Sequence, residues 1–287
     1  MVERQGRLTG IGDEGGASIE EQISNHKALG WDTIELRSIE GKNICEMDDK
    51  AFDAVYARIE EAKIRTIGFG SSIANWARPI NTPFSRDLDD LRCAIPRMRR
   101  LGTSFIRIMS YPNDGRDEEL WKVEVFRRMS ELVAIANGEG IVLVLENCDG
   151  WASESPRQLS ELLSHFNTKS LQVVFDPGNP IGHGATVEDT WAFYRAALPY
   201  IVHFHIKDCR RLPDGSIQHV MPGDGDCDVV KIMRDLVKTG YSGMFSIEPH
   251  LSVSAHLGSI SFKGNNLKEN YLEYGLRAKQ ILHEIGA

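Results

Sequence analysis

The sequence predicts an α/β fold, a single (β/α)8 barrel over residues 1–287, and three observations carry that expectation. Short apolar runs alternate with amphipathic stretches along the whole chain, and the runs number eight. The amphipathic stretches repeatedly end in Gly where the next apolar run begins. The clearest cases are HKALG-WDTIELR (26–37), PRMRRLG-TSFIRIMS (96–110) and RDLVKTG-YSGMFSIE (234–248). A glycine just past the last helical residue takes the left-handed conformation that closes a helix, and a strand follows.

Taken in order, the apolar runs place strands at about 7–12, 32–37, 65–70, 104–109, 141–146, 171–176, 201–206 and 243–248. Helices fall around 18–29, 48–62, 87–101, 118–138, 156–165, 187–199 and 228–239, with a last one near 266–284. The runs Ile141–Leu145 and Leu171–Phe175 are nearly all apolar, as a parallel strand covered on both faces requires. Eight β–α units fit a closed barrel better than an open doubly wound sheet. No GxGxxG follows the first strand, which weakens a dinucleotide-binding reading. No linker or composition break marks a second domain.

Composition narrows the function classes. Hydrophobic residues make up 41% and charged residues 26%, ordinary for a globular chain. A net charge of -8 and a pI near 5.6 argue against a nucleic-acid partner, because neutralising phosphates needs a basic excess. The five scattered cysteines form no CxxC pair and suit a reducing compartment. The opening MVERQGRLTG has no signal-peptide core, and no run is long enough to cross a bilayer. The expected location is the cytoplasm.

In a (β/α)8 barrel the chemistry sits at the C-terminal ends of the strands, so the polar residues that stop each apolar run are the informative ones. Strand five stops at Glu146-Asn147, strand six at Asp176-Pro177-Gly178-Asn179 and strand eight at Glu248-Pro249-His250. Strand seven reads IVHFHI, followed by Lys207-Asp208. A lone strand-end carboxylate is commonly a helix cap. Four consecutive strands that bring Glu146, Asp176, His205 and Glu248 to one rim are better explained by a shared divalent cation, because clustered carboxylates otherwise repel or take up protons. The mixed oxygen and nitrogen set suits Mn²⁺ as first choice, with Mg²⁺, Co²⁺ or Zn²⁺ as alternatives. His203 and His205 point to the same side of the strand. His205, nearer the C-terminal end, is the better ligand, and His203 is expected to pack one layer below or orient a neighbour.

These residues resemble the sugar isomerase/epimerase superfamily with the xylose isomerase-like barrel, a group that also includes endonuclease IV. The resemblance rests on LGWDTIELR (29–37), LENCDG (145–150), VVFDPGNP (173–180), HFHIKDCR (203–210), PGDGDCD (222–228) and FSIEPH (245–250). It implies that Glu146, Asp176, His205 and Glu248 match the metal ligands of ketose 3-epimerases, with Glu146 and Glu248 also the acid/base pair. The chain departs from that pattern at Asn179, where the epimerases carry a His. Arg210 or Arg211 would stand for their substrate-binding Arg. Strands three and four end without the histidines that endonuclease IV uses for its metal cluster, so an AP endonuclease is disfavoured.

The chemistry expected is proton abstraction beside a carbonyl, with an enediolate stabilised by the cation's charge. Reprotonation gives an epimerase or isomerase. Loss of a β-substituent gives a lyase of the C-glycoside deglycosidase type acting on 3-keto glycosides, which GSSIANWARPI (70–80) and IMSYPNDG (108–115) resemble. Asn179, Lys207, Arg210, Trp76 and His250 are the candidate substrate contacts, with Asp208 as a further rim residue. The expected partners are a sugar or glycoside and further copies of the chain, with a small second subunit if it is a deglycosidase. A sugar-binding barrel without catalysis is the non-enzyme alternative, disfavoured because both glutamates are present. The PGDGD loop reads as a turn rather than a phosphate cradle, since its two carboxylates would repel a phosphate.

Overall fold

A computed structural model of the chain describes residues 7–251, 253–256, 259–262 and 266–286, with backbone alone for 253–256 and 259–262. The strands are β1 (Leu8–Gly10), β2 (Thr33–Leu36), β3 (Arg65–Gly70), β4 (Phe105–Ser110), β5 (Val142–Gly150), β6 (Leu171–Phe175), β7 (Ile201–Ile206) and β8 (Met244–Ile247). They form one sheet in the order β1-β8-β7-β6-β5-β4-β3-β2, and every ladder is parallel. The ends of this sheet meet at a single bridge between Ile11 and Glu35, where Thr33 Oγ1 also donates to the Leu8 carbonyl at 3.3 Å. The sheet is therefore a nearly closed (β/α)8 barrel, with β1/β2 as its thinnest seam.

The helices are α1 (Ile19–Ala28), α2 (Asp49–Ala62), α3 (Ser85–Leu101), α4 (Glu118–Glu139), α5 (Pro156–Phe166), α6 (Val187–Ala197), α7 (Val229–Lys238) and α8 (Leu267–Ile285). Their ends follow local chemistry. Ser18 with Glu21 and Thr186 with Asp189 form reciprocal capping boxes at α1 and α6. The glycines that signalled helix ends, Gly30, Gly102 and Gly240, all have positive φ, at 71°, 68° and 87°. α6 stops at Ala197, short of the expected 199, and a 3-10 turn over Leu198–Tyr200 replaces its last residues. Pro199 has no N–H with which to extend the helix.

Alternation along the strands sorts the chain into two layers. Phe175, Phe204 and Phe245 pack ring to ring, and Phe175 meets Tyr194 of α6, so this layer lies between sheet and helices. Residues one position away, Glu35, Arg107, Glu146, His203 and His205, are buried polar side chains that contact one another within the ring. Among the described residues, three antiparallel strand pairs lie outside the barrel sheet and were not signalled by the apolar runs: 38–39 with 42–43, 208–211 with 217–220, and 253–256 with 259–262. A helical turn, Gly178–Gly182, follows β6 at once. All five cysteines are free thiols. Among the described residues, no helix is long and apolar enough to cross a membrane.

Candidate metal centre

Glu146 lies within β5, Asp176 directly after β6, His205 in β7 and Glu248 directly after β8, so four neighbouring strands deliver the four residues to one end of the barrel. One donor atom from each lies within 4.8 Å of all the others. The four residues are 0–2% exposed. Asn147 fixes the Asp176 backbone reciprocally: its Nδ2 donates to the Asp176 carbonyl at 2.9 Å, and its Oδ1 accepts from the Asp176 N–H at 2.8 Å. The Gly178 N–H donates to Asp176 Oδ1 at 2.7 Å, which leaves Oδ2 turned to the cluster.

Each carboxylate is held by a cation or an amide. Arg107 donates to Glu146 Oε2 at 3.0 Å, and Asn179 donates to Glu146 Oε1 at 3.1 Å. Arg37 donates to Glu248 Oε1 at 2.9 Å, and Lys207 donates to Glu248 Oε2 at 3.1 Å. Lys207 Nζ also lies 2.5 Å from the buried Asp176 Oδ2, an ion pair with that oxygen. His205 Nδ1 is buried without a hydrogen-bond partner, 3.5 Å from Glu146 Oε1 and 3.4 Å from Glu248 Oε2. An orphaned buried nitrogen facing two carboxylates is what a coordinated cation would satisfy, since metal–ligand bonds of about 2.0–2.2 Å separate neighbouring donors by roughly 3 Å. The donor set fits a divalent ion.

Electrostatics points the same way. Six buried carboxylates, Asp13, Glu14, Glu35, Glu146, Asp176 and Glu248, share this end with three permanent cations, Arg37, Arg107 and Lys207. Burial lifts Asp176 to about 7, with Lys207 opposing the rise. Burial also works to raise Glu146, but Arg107 and the His205 ring outweigh it and hold that carboxyl near 2. Desolvation lowers His250, yet Glu14 and Glu248 beside it lift it to about 9.

Of the remaining residues singled out in the sequence, Asn179, Lys207 and His250 join the cluster. His250 Nε2 lies 3.3 Å from both Glu14 Oε1 and Glu248 Oε1. Arg210 does not join: it is exposed on the 208–220 hairpin and donates to the Asp224 carbonyl. Arg211 donates to the carbonyls of Ile181 and Ala185 instead. Trp76 is half-buried in the loop after β3 and, among the described residues, has no hydrogen bond or ring contact tying it to the cluster. Asp208 is not on the rim either. Its carboxylate accepts from the backbone N–H groups of Cys209, Gly223, Gly225 and Cys227 at 2.8–3.3 Å, so the glycine amides of the PGDGD loop already serve a carboxylate from within the chain. A Cβ at Gly225 would collide with Asp208 Oδ1.

Sequence reasoning missed Asp13, Glu14, Glu35, Arg37 and Arg107. Arg37 is the hub of this group: it holds Asp13 at 3.1 Å and Glu14 at 2.7 Å besides Glu248. The signal was available, because Glu35 and Arg37 alternate at a strand end as His203 and His205 do, and Arg107 interrupts the apolar run FIRIMS.

Comparison with known proteins agrees with this architecture. An inosose dehydratase of Clostridium perfringens is 22% identical over 188 residues, 60% of this chain and 58% of that protein. The chain spans about half the length of the curated relatives it matches, so whole-protein activities do not transfer from them. A crystal structure of IOLI protein with a bound zinc atom superposes with a TM-score of 0.72 at 17% identity, over 97% of each chain. A D-tagatose 3-epimerase-like protein does so with a TM-score of 0.72 at 18% identity, over 98% of each. At such identities the structures speak for the fold alone. Residues 23–262 match the model of a family described as the xylose isomerase-like TIM barrel, and the chain belongs to that family.

Proposed function

We propose that the protein is a divalent-metal-dependent enzyme that moves a proton beside the carbonyl of a sugar or related polyol, as an isomerase or epimerase. The observation that carries this reading is the pairing of Glu146 and Glu248 about one orphaned nitrogen, His205 Nδ1, with each carboxylate braced from behind by an arginine. Glu146, Asp176, His205 and Glu248 would hold the ion, which when bound supplies positive charge to a carbonyl oxygen and the hydroxyl beside it. The two glutamates do the proton work. They arrive from strands three places apart in the ring, so a substrate lying between them meets one carboxylate on each side. One takes the proton α to the carbonyl and the other returns a proton from the opposite side, which inverts the carbon. Arg107 keeps Glu146 ionised and Lys207 with His250 keeps Glu248 ionised, so each is ready to accept a proton. The names of the relatives, a dehydratase of an inosose and a tagatose epimerase-like protein, support a polyhydroxylated carbonyl compound as substrate.

One observation favours a second reading. Lys207 Nζ sits between Asp176 and Glu248, closer to the cluster than a rim contact would be. An ammonium there has a proton to give to a departing oxygen, and that suits β-elimination, as in a dehydratase or a lyase on 3-keto glycosides.

The test is incubation of the Mn²⁺-loaded protein in D₂O with free ketoses, inososes and 3-keto glucosides, followed by NMR. Deuterium in an epimerised or isomerised sugar establishes the first reading, and release of water or aglycone establishes the second. Glu248→Gln should lower either rate by about 10²–10⁴-fold, the usual contribution of a positioned acid or base. An unchanged rate in that variant would sink both.

A further inference from the structure

We infer that Glu35 is the positioning residue of the cation site: it accepts hydrogen bonds from the Nε2–H groups of both His203 and His205 and so turns the Nδ1 lone pair of His205 into the Glu146/Asp176/Glu248 cluster. The inference rests on reading that cluster as a cation site, and the experiment below separates the two.

Glu35 is 3% exposed, bridges Ile11 at the β1/β2 seam and pairs with Gly68 of β3. Its Oε2 lies 2.9 Å from His203 Nε2 and its Oε1 lies 3.3 Å from His205 Nε2. An ionised carboxylate has no proton to donate, so both of these nitrogens must carry the hydrogen. A neutral imidazole has one N–H, and with it on Nε2 the His205 Nδ1 atom is left as a bare lone pair. That is the atom with no hydrogen-bond partner, facing Glu146 Oε1 and Glu248 Oε2. Asn179 and Lys207 already donate to those two carboxylate oxygens, so the nitrogen is the acceptor left for a proton or a cation to satisfy.

His203 has its own part in this arrangement. Its ring stands at 87° to that of His205, 5.3 Å away, and it occupies the second oxygen of Glu35. With both oxygens engaged the carboxylate cannot turn, so the His205 ring plane is set from two strands at once, β2 and β7. The same three residues also have donor atoms close enough to hold an ion themselves. In that case Glu35 would be a ligand, and the chain would take two ions.

Zinc alone is the probe. Its affinity and stoichiometry would be measured by competition with a chromophoric chelator for the wild type, Glu35→Gln, Glu35→Leu and His203→Gln. Ring ¹⁵N shifts of histidine-labelled, zinc-loaded protein would report which His205 nitrogen is coordinated. The wild type should bind one ion per chain, with Nδ1 on zinc and Nε2 still protonated. Glu35→Leu should bind about 100-fold more weakly, and Glu35→Gln, which keeps one acceptor oxygen, about 10-fold more weakly. His203→Gln should lose less than Glu35→Leu, because the bond to His205 survives. Should the leucine variant fail to fold, the two glutamine variants still decide the matter. Affinity unchanged in folded Glu35 variants, or zinc on Nε2, overturns the inference while leaving the cation site standing. Two ions in the wild type and one in the Glu35 variants would also overturn it, by making Glu35 a ligand. A wild type that binds no zinc would overturn the cation site and this inference together.

Discussion

Strands β5–β8 and the segments β1–β4 bring charge to the same end of the barrel, but they leave it in different states. The second half supplies Glu146, Asp176, His205 and Glu248, and among them His205 Nδ1 is buried without a hydrogen-bond partner. The first half supplies Asp13, Glu14, Glu35, Arg37 and Arg107, which bind to one another or reach across to the second half. Arg37 alone joins three carboxylates from two different loops. Open valence at a donor lone pair marks the half that would meet an ion and substrate, whereas every carboxylate of the bracing half is engaged, its valence closed, and only Arg107 Nε among those five residues lacks a partner. Burial alone does not separate them, because both sets are at most 7% exposed.

The largest effect on that contrast should come from removing the brace. Arg37→Met leaves Asp13, Glu14 and Glu248 buried beside one another with their shared cation gone. Breaking a buried charge network from one side typically costs about 3–5 kcal/mol. Urea unfolding at neutral pH should show a loss of that size, and Arg37→Lys should recover only part of it, since an ammonium lacks the planar fork that spans three partners. A loss within the range of an ordinary surface substitution would mean that the first half is not structural, and the contrast would fail.

The fold was legible because two periodicities are hard to disguise. Apolar runs such as Ile141–Leu145 and helix-closing glycines such as Gly102 report burial and backbone conformation directly. The four strand-end residues were legible because the barrel topology turns position in sequence into position on a rim. The brace was not read, because an arginine in a strand looks like a solvated charge until the partner across the ring is known. Glu248 and Arg37 are 211 residues apart, and nothing local announces their bond. Arg210 shows the reverse failure. It lies just beyond the metal-site motif, yet the strand runs on into a hairpin that carries its side chain away from the cluster.

Two buried histidines sharpen the comparison by pH. His205 sits among carboxylates, whereas His26 of α1 sits among neutral groups. Its Nδ1 is 2.8 Å from the Gln22 carbonyl and its Nε2 is 3.1 Å from that of Gly10, with the Tyr271 hydroxyl at 3.2 Å. Desolvation outweighs the carbonyl contacts and lowers its pKa from 6.5 to about 4. The folded state therefore keeps this ring neutral where the unfolded chain would protonate it. Stability from this residue is fully present above the unfolded value of 6.5 and is lost as pH falls through about 4. A shift of that size corresponds to roughly 3 kcal/mol. The difference in unfolding free energy between wild type and His26→Gln should shrink by about that amount across this window and stay flat above it. A difference that does not change with pH would show that the fold leaves this ring's pKa unshifted, and one that falls as pH rises would show that His26 is charged in the fold.

The smallest effect should come from Asp208, which tests whether satisfied charge in the second half behaves like the brace. Its carboxylate gathers four backbone N–H groups and thereby shapes the 222–227 loop. Asp208→Asn keeps one acceptor oxygen and turns an amide donor toward the others, so part of the network should open at a cost of about 1–2 kcal/mol. The opening should be local. Hydrogen exchange should quicken at Gly223, Gly225 and Cys227 while the amides of β7 stay protected, because the loop bonds hang on one side chain and the strand is paired on both edges. Exchange that quickens equally in β7 would instead make Asp208 part of the barrel's frame, and the line between open and closed valence would then run within the second half as well as between the two.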